Sequence, residues 1–322
     1  DLDTIPPIDY TRCANPNRQT IEQVLAALEN GQYCVGFGSG MSAIAASLSF
    51  LECGDHLAIA SDIYGGTYRL CHKLLTKWGI EVSEFCSQKP CTLREAIRPN
   101  TKAVIFEGPT NPNLRVPNIE AIAAIAREEG LVSIFDNTFA SPALQNPLDF
   151  GIDIVVHSTT KYISGHSDVI GGAAITNNRE LFDGMFEYAK TVGTAPSPFD
   201  CWLTLRGVKT LEARMRVHNE NAQAVAEYLE RDARVARVHY PGLPSHPDHE
   251  LAAKQMRGFG GMIAFEVAGG ADAARIATCL GGDANGLVPR DARRVGCGLH
   301  GAHVAYEPRE RQASRRDGVR AI

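Results

Sequence analysis

The sequence predicts an α/β protein: a large domain on a mostly parallel, doubly wound sheet, followed by a smaller α/β domain. Three observations carry this prediction. Short apolar or β-branched runs alternate with amphipathic stretches from residue 20 to about 160, the rhythm of repeated strand–helix units. The runs Leu131–Phe135 and Ile152–Val156 are apolar without alternation, as in parallel strands covered on both faces. At 322 residues the chain is also longer than a single hydrophobic core usually supports.

The stretch Asp9 to Pro16 is polar, and Pro16 disfavours helix at Asn15. A helix is predicted next, with Thr20 as its cap and Gln23 completing a capping box. Ile21, Val24, Leu25 and Leu28 share one face of it, and Gly31 ends it. Tyr33–Phe37 reads as a strand and Gly38-Ser39-Gly40 as a turn, after which Met41, Ile44, Ala45, Leu48 and Leu51 line a second helix closed by Gly54. His56–Ala60 is a strand whose loop, Ser61 to Gly66, leads into a helix ending at Gly79. Glu81–Cys86 is the next strand, and Thr92 with Glu95 opens a short helix. Ala103–Glu107 is a strand running into the turn-rich Gly108-Pro109-Thr110-Asn111-Pro112. Ile119–Glu129 is a helix with Ile119, Ile122, Ala123 and Ala126 inward, stopped by Gly130.

After Val156 the chain becomes polar and glycine-rich, through His157-Ser158-Thr159-Thr160-Lys161-Tyr162 to Gly171-Gly172. From about Pro196 the pattern changes again. A long helical tract (Cys201–Leu229), a strand (Arg237–Tyr240), the turn Pro241–Pro244 and an apolar strand (Met262–Val267) suit a second, smaller domain. From about Gly281 the sequence is rich in glycine and arginine with little apolar periodicity, a composition that reads as loop or disorder.

The 44% apolar and 21% charged residues are those of a soluble globule, and no window approaches the ~18 consecutive apolar residues of a membrane span. A net charge of -5 gives no footprint for nucleic acid or an anionic membrane. The terminal arginines lack interleaved aromatics beyond Tyr306, so a nucleic-acid module ranks last among the function classes. The first residues have neither the basic region nor the apolar core of a signal peptide. Nine cysteines, an odd number without a C-x-x-C pair and mostly inside apolar runs, fit a reducing, cytoplasmic compartment.

Four features carry chemistry. Lys161 follows a predicted strand and three hydroxyl-bearing residues. A lysine buried there is costly unless paired or used covalently, which makes it a candidate Schiff-base lysine rather than a surface one. Gly38-Ser39-Gly40 ends a strand and opens a helix, so backbone N–H groups there can hold a phosphate; tight-turn glycines are the plainer reading. Tyr64 lies in a glycine loop after a strand, where it either packs on the rim or presents its ring and hydroxyl to a ligand. Asp136 ends a very apolar strand, where a carboxylate caps a helix or takes a cationic partner such as a protonated pyridine nitrogen. Jointly the four describe one object: an anion cradle, a stacking ring, a carboxylate for a pyridinium and an amine for an aldehyde. His246 and His249 have metal-pair spacing, but Pro247 between them favours a structural turn, and no metal is expected.

Tyr10-Thr11-Arg12, Ser39-Gly40-Met41, Asp62-Ile63-Tyr64-Gly65-Gly66-Thr67, Pro109-Thr110-Asn111-Pro112, Asp136-Asn137-Thr138-Phe139 and Ser158-Thr159-Thr160-Lys161-Tyr162 occur in that order. Together they resemble the motifs of the trans-sulfuration (Cys/Met metabolism) family of pyridoxal-phosphate enzymes, over about Tyr10 to Val267. Pro196-Ser197-Pro198-Phe199-Asp200-Cys201 and Tyr240-Pro241-Gly242-Leu243-Pro244 bring the match nearest to the cystathionine γ-lyases. The resemblance implies an aspartate-aminotransferase-like (fold type I) large domain over 1–200 and a small C-terminal domain over 201–322, with 281–322 atypical. It implies that Lys161 binds the coenzyme, Asp136 pairs with its ring nitrogen and Tyr64 stacks on the ring and acts as an acid. The Gly40 and Met41 amides, with the Ser158 and Thr160 hydroxyls, would hold the phosphate. Tyr10 and Arg12 resemble the pair that reaches a neighbouring subunit's phosphate, which implies a dimer of dimers. Asn111 and Arg69 correspond to residues near the substrate. Gly66 stands where methionine γ-lyases carry a cysteine, which argues against that branch.

The chain departs from the family at both ends. The N-terminal arm is incomplete, and after Ala271 the pattern fades, as in a truncated or frame-shifted variant. The family's substrate-carboxylate arginine has its nearest echo at Arg320. The implied reaction is γ-elimination of cystathionine, an amino-acid substrate, to cysteine, 2-oxobutyrate and ammonia. Cystathionine γ-synthase or an O-acylhomoserine sulfhydrylase is the alternative within the family, and a coenzyme-binding pseudoenzyme the alternative outside catalysis.

Overall fold

A computed structural model of the chain describes residues 10–267, together with the backbone of 296–299 and 302–305. The described residues divide into two compact units that change over inside one long helix, between Met215 and Arg216, with Gln255–Arg257 returning to the first.

The first unit is built on a seven-stranded sheet. Its strands are β1 (Tyr33–Phe37), β2 (His56–Ala60), β3 (Glu81–Phe85), β4 (Thr101–Glu107), β5 (Val132–Asp136), β6 (Ile154–His157) and β7 (Gly172–Thr176), in the order β1-β7-β6-β5-β4-β2-β3. Strands β3, β2, β4, β5 and β6 pair in parallel, as the apolar, non-alternating runs predict. The central strands are sealed: Ile105, Phe106, Ile134, Phe135, Ile154 and Val155 are fully buried. Phe106 and Phe135 meet edge to face at 4.9 Å, an arrangement worth about 1 kcal/mol beyond simple burial.

Strand β7 is antiparallel to both neighbours, β1 and β6. The sequence reading treats its start as part of a glycine loop. Its Gly-Ala-Ala opening has no β-branched signal, and it is a strand because two others clamp it. One consequence orients the whole unit: reversed twice through β7, β1 points the same way as β6.

Helices cover the sheet. Helix α1 (Pro16–Leu28) begins a turn earlier than the capping box predicts. Asn15 is the cap, accepting a bond from the Asn17 amide at 3.1 Å, and Pro16 takes the first helical position, where a missing N–H costs nothing. Thr20 instead donates its hydroxyl to the Pro16 carbonyl (2.8 Å). Helix α2 (Gly40–Ser47) follows β1, and α3 (Gly65–Arg69) follows the β2 loop. Helix α3 continues through a π turn (Leu70–Leu74) and a 3₁₀ turn (Leu75–Trp78) to Gly79, which stops it at φ 81°. Next come α4 (Cys91–Ala96), α5 (Ile119–Glu128, capped by Asn118), the short α6 (Ser141–Leu144), α7 (Arg179–Val192), α8 (Pro198–Val208) and the long α9 (Leu211–Glu230).

The second unit carries a four-stranded sheet, β10-β11-β9-β8. Strands β8 (Val235–His239) and β9 (Met262–Val267) are antiparallel, β11 (Ala302–Ala305) runs parallel to β9, and β10 (Gly296–Leu299) pairs antiparallel with β11. These last two strands lie in the stretch whose composition reads as loop. The unit's core gathers Tyr240, Leu243, Ile263 and Phe265 with Ala222 and Ala226 of α9, and helix α10 (His249–Gln255) lies in the chain before β9. Tyr240 is fully buried and donates its hydroxyl to the Gly260 carbonyl (3.1 Å). His246 and His249 serve the turn before α10: the His246 ring accepts the Asp248 amide (3.2 Å), and His249 bonds the Pro241 carbonyl (2.8 Å). No metal-binding cluster occurs among the described residues.

Candidate active site

Parallel strands deliver whatever follows them to one edge of a sheet, and that edge is where ligands bind in doubly wound folds. Tyr64 follows β2, Asn111 follows β4, Asp136 ends β5 and Ser158–Lys161 follow β6. Because β7 turns β1 to run with β6, Gly40 arrives at the same edge.

One end of this edge is made of backbone. A methyl group on Gly40 would stand 2.7 Å from the Ser158 Cβ, and one on Gly172 would strike the Ser39 carbonyl and stand 2.8 Å from the Gly40 nitrogen. Only glycines allow three segments to approach this closely. Helix α2 starts at that spot. Ser39 satisfies the Ser42 amide through its side chain (3.1 Å) and the Ala43 amide through its carbonyl (3.1 Å). The amides of Gly40 and Met41 belong to the first turn, which has no intrahelical acceptors, and they sit at the positive end of the helix dipole. Such a helix start is a candidate anion cradle. The Thr160 hydroxyl is engaged on both sides of Gly171, donating to its carbonyl (3.2 Å) and accepting its amide (3.0 Å), so it anchors the segment that leads to Gly172.

The other end is made of carboxyls. Asp136 accepts the Thr138 amide (3.0 Å) and hydroxyl (2.5 Å), both on Oδ1, and Thr138 Oγ1 in turn accepts the Ser158 amide (2.9 Å). A continuous hydrogen-bonded chain thus joins the two ends. Burial pushes the Asp136 pKa up, against the pull of the Thr138 bonds and the nearby His157. Oδ2 makes no hydrogen bond to the described residues, so a cation presented to it would offset the cost of burial. Tyr64, 43% exposed, stands at the cap position of α3, and Gly66 lies against both its ring and Met41, whose sulfur would be 2.8 Å from a methyl at 66. An anion cradle and a carboxyl lacking a cation, tied through Thr138, fit a group that is anionic at one end and cationic at the other.

Lys161 corrects the sequence reading. It is exposed rather than buried, because β6 stops at His157 and the chain turns, the Lys161 amide closing onto the Ser158 carbonyl (3.2 Å). Its ammonium makes no ion pair with a described residue, which leaves the amine available. The turn itself is held from behind by Arg214 of α9. The Arg214 guanidinium donates to the carbonyls of Tyr162 (2.6 Å), Ile163 (3.3 Å) and Gly207 (2.9 Å) and to the Thr210 hydroxyl (3.0 Å).

Residues 4–280 match the Cys/Met metabolism PLP-dependent enzyme family. The chain belongs to that family. It is 49% identical over 266 residues to the probable cystathionine γ-synthase of Herpetosiphon aurantiacus, covering 83% of each chain. It is 44% identical over 267 residues to the cystathionine γ-lyase of Dictyostelium discoideum, covering 83% of this chain and 69% of that one. Among solved structures, the cystathionine γ-synthase of Xanthomonas oryzae pv. oryzae in complex with cystathionine superposes with a TM-score of 0.85 at 44% identity, over 89% of this chain and 74% of that one. As a Cys/Met metabolism enzyme the chain takes pyridoxal phosphate as its coenzyme, and its fold is the one the motifs imply.

Seen as a member of this family, the chain gathers most of its candidate residues at one edge and leaves others apart. Gly40, Met41, Tyr64, Asp136, Ser158, Thr160 and Lys161 all lie at the common edge. Arg69 and Asn111 are exposed near it; the Arg69 guanidinium lies 3.5 Å from where a methyl on Gly65 would be. Tyr10 and Arg12 pair with each other on the surface, the guanidinium 5.1 Å from the ring centre, and Arg12 also donates to the Lys190 carbonyl. Arg320 and most of 281–322 lie outside the described residues.

Two acids escape the sequence reading. Glu29, at the end of α1, is 1% exposed and bonds His157 Nε2 at 2.5 Å, and its Oε1 also accepts Asn137 Nδ2 (2.8 Å). Glu107 ends β4 directly beside Asp136 in the register of the two strands. Its sequence signal equals that of Asp136: a lone acid closing an apolar strand.

Proposed function

We propose that this family member catalyses γ-elimination of L-cystathionine, yielding cysteine, 2-oxobutyrate and ammonia. The observation that supports a catalytic site most directly is the chain Asp136–Thr138–Ser158 leading to the Gly40 cradle. Bound there, pyridoxal phosphate supplies an aldehyde that condenses with amines and a cationic ring that accepts the electron pair left by a departing proton.

The protein's own groups divide the work. The Gly40 and Met41 amides with Ser158 hold the phosphate, and Asp136 keeps a positive charge on the ring nitrogen. Lys161 Nζ would be the base that takes the proton from Cα and serves the following shift from Cβ. Tyr64 presents its ring as a stacking surface and its hydroxyl as the acid for the leaving sulfur. Asn111 and Arg69 orient the substrate, with Arg320 for its carboxylate. Tyr10 and Arg12, paired at the surface, reach the phosphate of a second copy in a dimer of dimers that works in the reducing cytoplasm.

A second reading is cystathionine γ-synthase or O-acylhomoserine sulfhydrylase chemistry, of which the γ-synthase is favoured by the 49% identity to a probable γ-synthase. Both readings need the same lysine. Purified wild-type protein is expected to be yellow and to release 2-oxobutyrate from cystathionine, while Lys161→Ala loses both colour and turnover. A yellow Lys161→Ala protein would remove Lys161 from the site. Cystathionine formed from an acylhomoserine and cysteine, with no 2-oxobutyrate from cystathionine, would establish the second reading instead.

A further inference from the structure

Glu107 is 5% exposed, lies beside Asp136 and near Asp62, and has no cationic partner in contact among the described residues. Asp62 is itself held by the Ser87 hydroxyl (3.0 Å) and the Gln88 amide (2.9 Å). Burial and the neighbouring Asp136 charge push the Glu107 pKa well up. A buried acid beside a second one is expensive, and a core position at a strand end is ordinarily filled by an apolar residue.

The hydrogen bonds explain why an acid stands there. Oε2 accepts the amide of Tyr64 at 2.8 Å, and Oε1 accepts the amide of Asn111 at 3.0 Å. The two amides belong to different loops, one between β2 and α3, the other after β4. Helix α3 has no side-chain cap of its own at Tyr64, so Glu107 fixes its start from a neighbouring strand. Two donors converging from opposite sides require two acceptor atoms on one planar group. A glutamine presents one acceptor and turns its N–H₂ toward the other donor.

We propose that Glu107 is the positioning residue of the pocket: a carboxylate clamp that sets the Tyr64 and Asn111 loops at once and couples them to what Asp136 binds. The coupling is electrostatic. A cation on Asp136 cancels the charge that opposes Glu107, so ligand binding tightens the clamp and, reciprocally, the clamp favours binding. The coupling rests on the reading of the pocket as a coenzyme site; the clamp stands on the hydrogen bonds alone.

Residue-resolved amide hydrogen exchange on the full chain, with and without pyridoxal phosphate, tests both parts. Glu107→Gln deprives one part-buried N–H of its charged acceptor, a loss of about 1–3 kcal/mol, so the Tyr64 or Asn111 amide is expected to exchange roughly 5- to 150-fold faster. The Val104–Phe106 ladder amides should keep wild-type rates. Adding the coenzyme to wild type should slow exchange at both loop amides, and Glu107→Gln should bind it correspondingly more weakly. Should Glu107→Gln fail to fold, Glu107→Asp, which keeps the charge but is too short to span both loops, must show the same local acceleration. Wild-type exchange at both amides, or equal acceleration throughout β4, overturns the clamp. A clamp seen in exchange with no effect of the coenzyme overturns the coupling, and the Lys161→Ala colour test separates that outcome from a wrong site.

Discussion

The two ends of the pocket are built from opposite materials. The Gly40 end is built around backbone. It consists of amides, hydroxyls and glycines brought together so closely that a methyl group on Gly40 would stand 2.7 Å from Ser158. The Asp136 end is two acids in register on adjacent strands, both with pKa values raised. An anion is cheaply met by backbone dipoles that are already fixed, whereas a cation needs a formal charge, and that charge costs stability until its partner arrives. The pocket therefore trades close packing at one end for electrostatic strain at the other.

Substitutions can break this contrast. Asp136→Asn keeps the shape and the Thr138 bonds but removes the charge. Turnover with cystathionine is expected to fall by roughly 10²–10³-fold, the cost of losing one preorganised electrostatic partner, while the protein stays folded; unchanged kcat would break the assignment. Gly40→Ala attacks the other end by volume. Its methyl must displace Ser158, so coenzyme affinity measured by fluorescence titration should drop about 10- to 100-fold, with about 1–3 kcal/mol lost from stability. Undiminished affinity would show that the cradle lies elsewhere.

The mildest effect sharpens the comparison with an acid outside the pocket. Glu22 accepts the Gly36 amide (2.8 Å) and pairs with Arg18 (3.4 Å), yet burial raises its pKa from 4.5 to about 7. A carboxyl with a raised folded-state pKa contributes stability that is whole below pH 4.5 and is lost as pH climbs toward 7. Glu22→Gln should flatten melting temperature against pH across that window and leave turnover unaffected. A wild-type slope in the variant would place the titration on another group.

The contrast also explains what could be read from the chain beforehand. The candidate cradle could be proposed from sequence because Gly38-Ser39-Gly40 and Ser158-Thr159-Thr160 are local motifs that follow predicted strands. Asp136 was legible because it closes an apolar run. Glu107 closes one equally well and was passed over, since its meaning comes from the register of β4 on β5 and from two loops that converge on it. Arg214 was invisible for a related reason: its acceptors Tyr162 and Ile163 lie some fifty residues away. Strand β7 was missed because glycine and alanine carry no strand preference, and the exposure of Lys161 because the end of β6 fell one residue later than expected and a turn follows it. The strand boundaries of β1, β2 and β9 were read correctly, each being a short apolar run bounded by turn formers.

The reversed strand β7 carries a consequence for biosynthesis. Among the described residues, 33–37 pair in the sheet with 172–176 alone, so a nascent chain halted on the ribosome before residue 172 lacks the strand that joins its first strand to its sixth. The helix that offers its amides and the serine that faces it are made more than a hundred residues apart. That late ribbon completes the sheet between their two strands, so vitamin capture is expected to follow its synthesis.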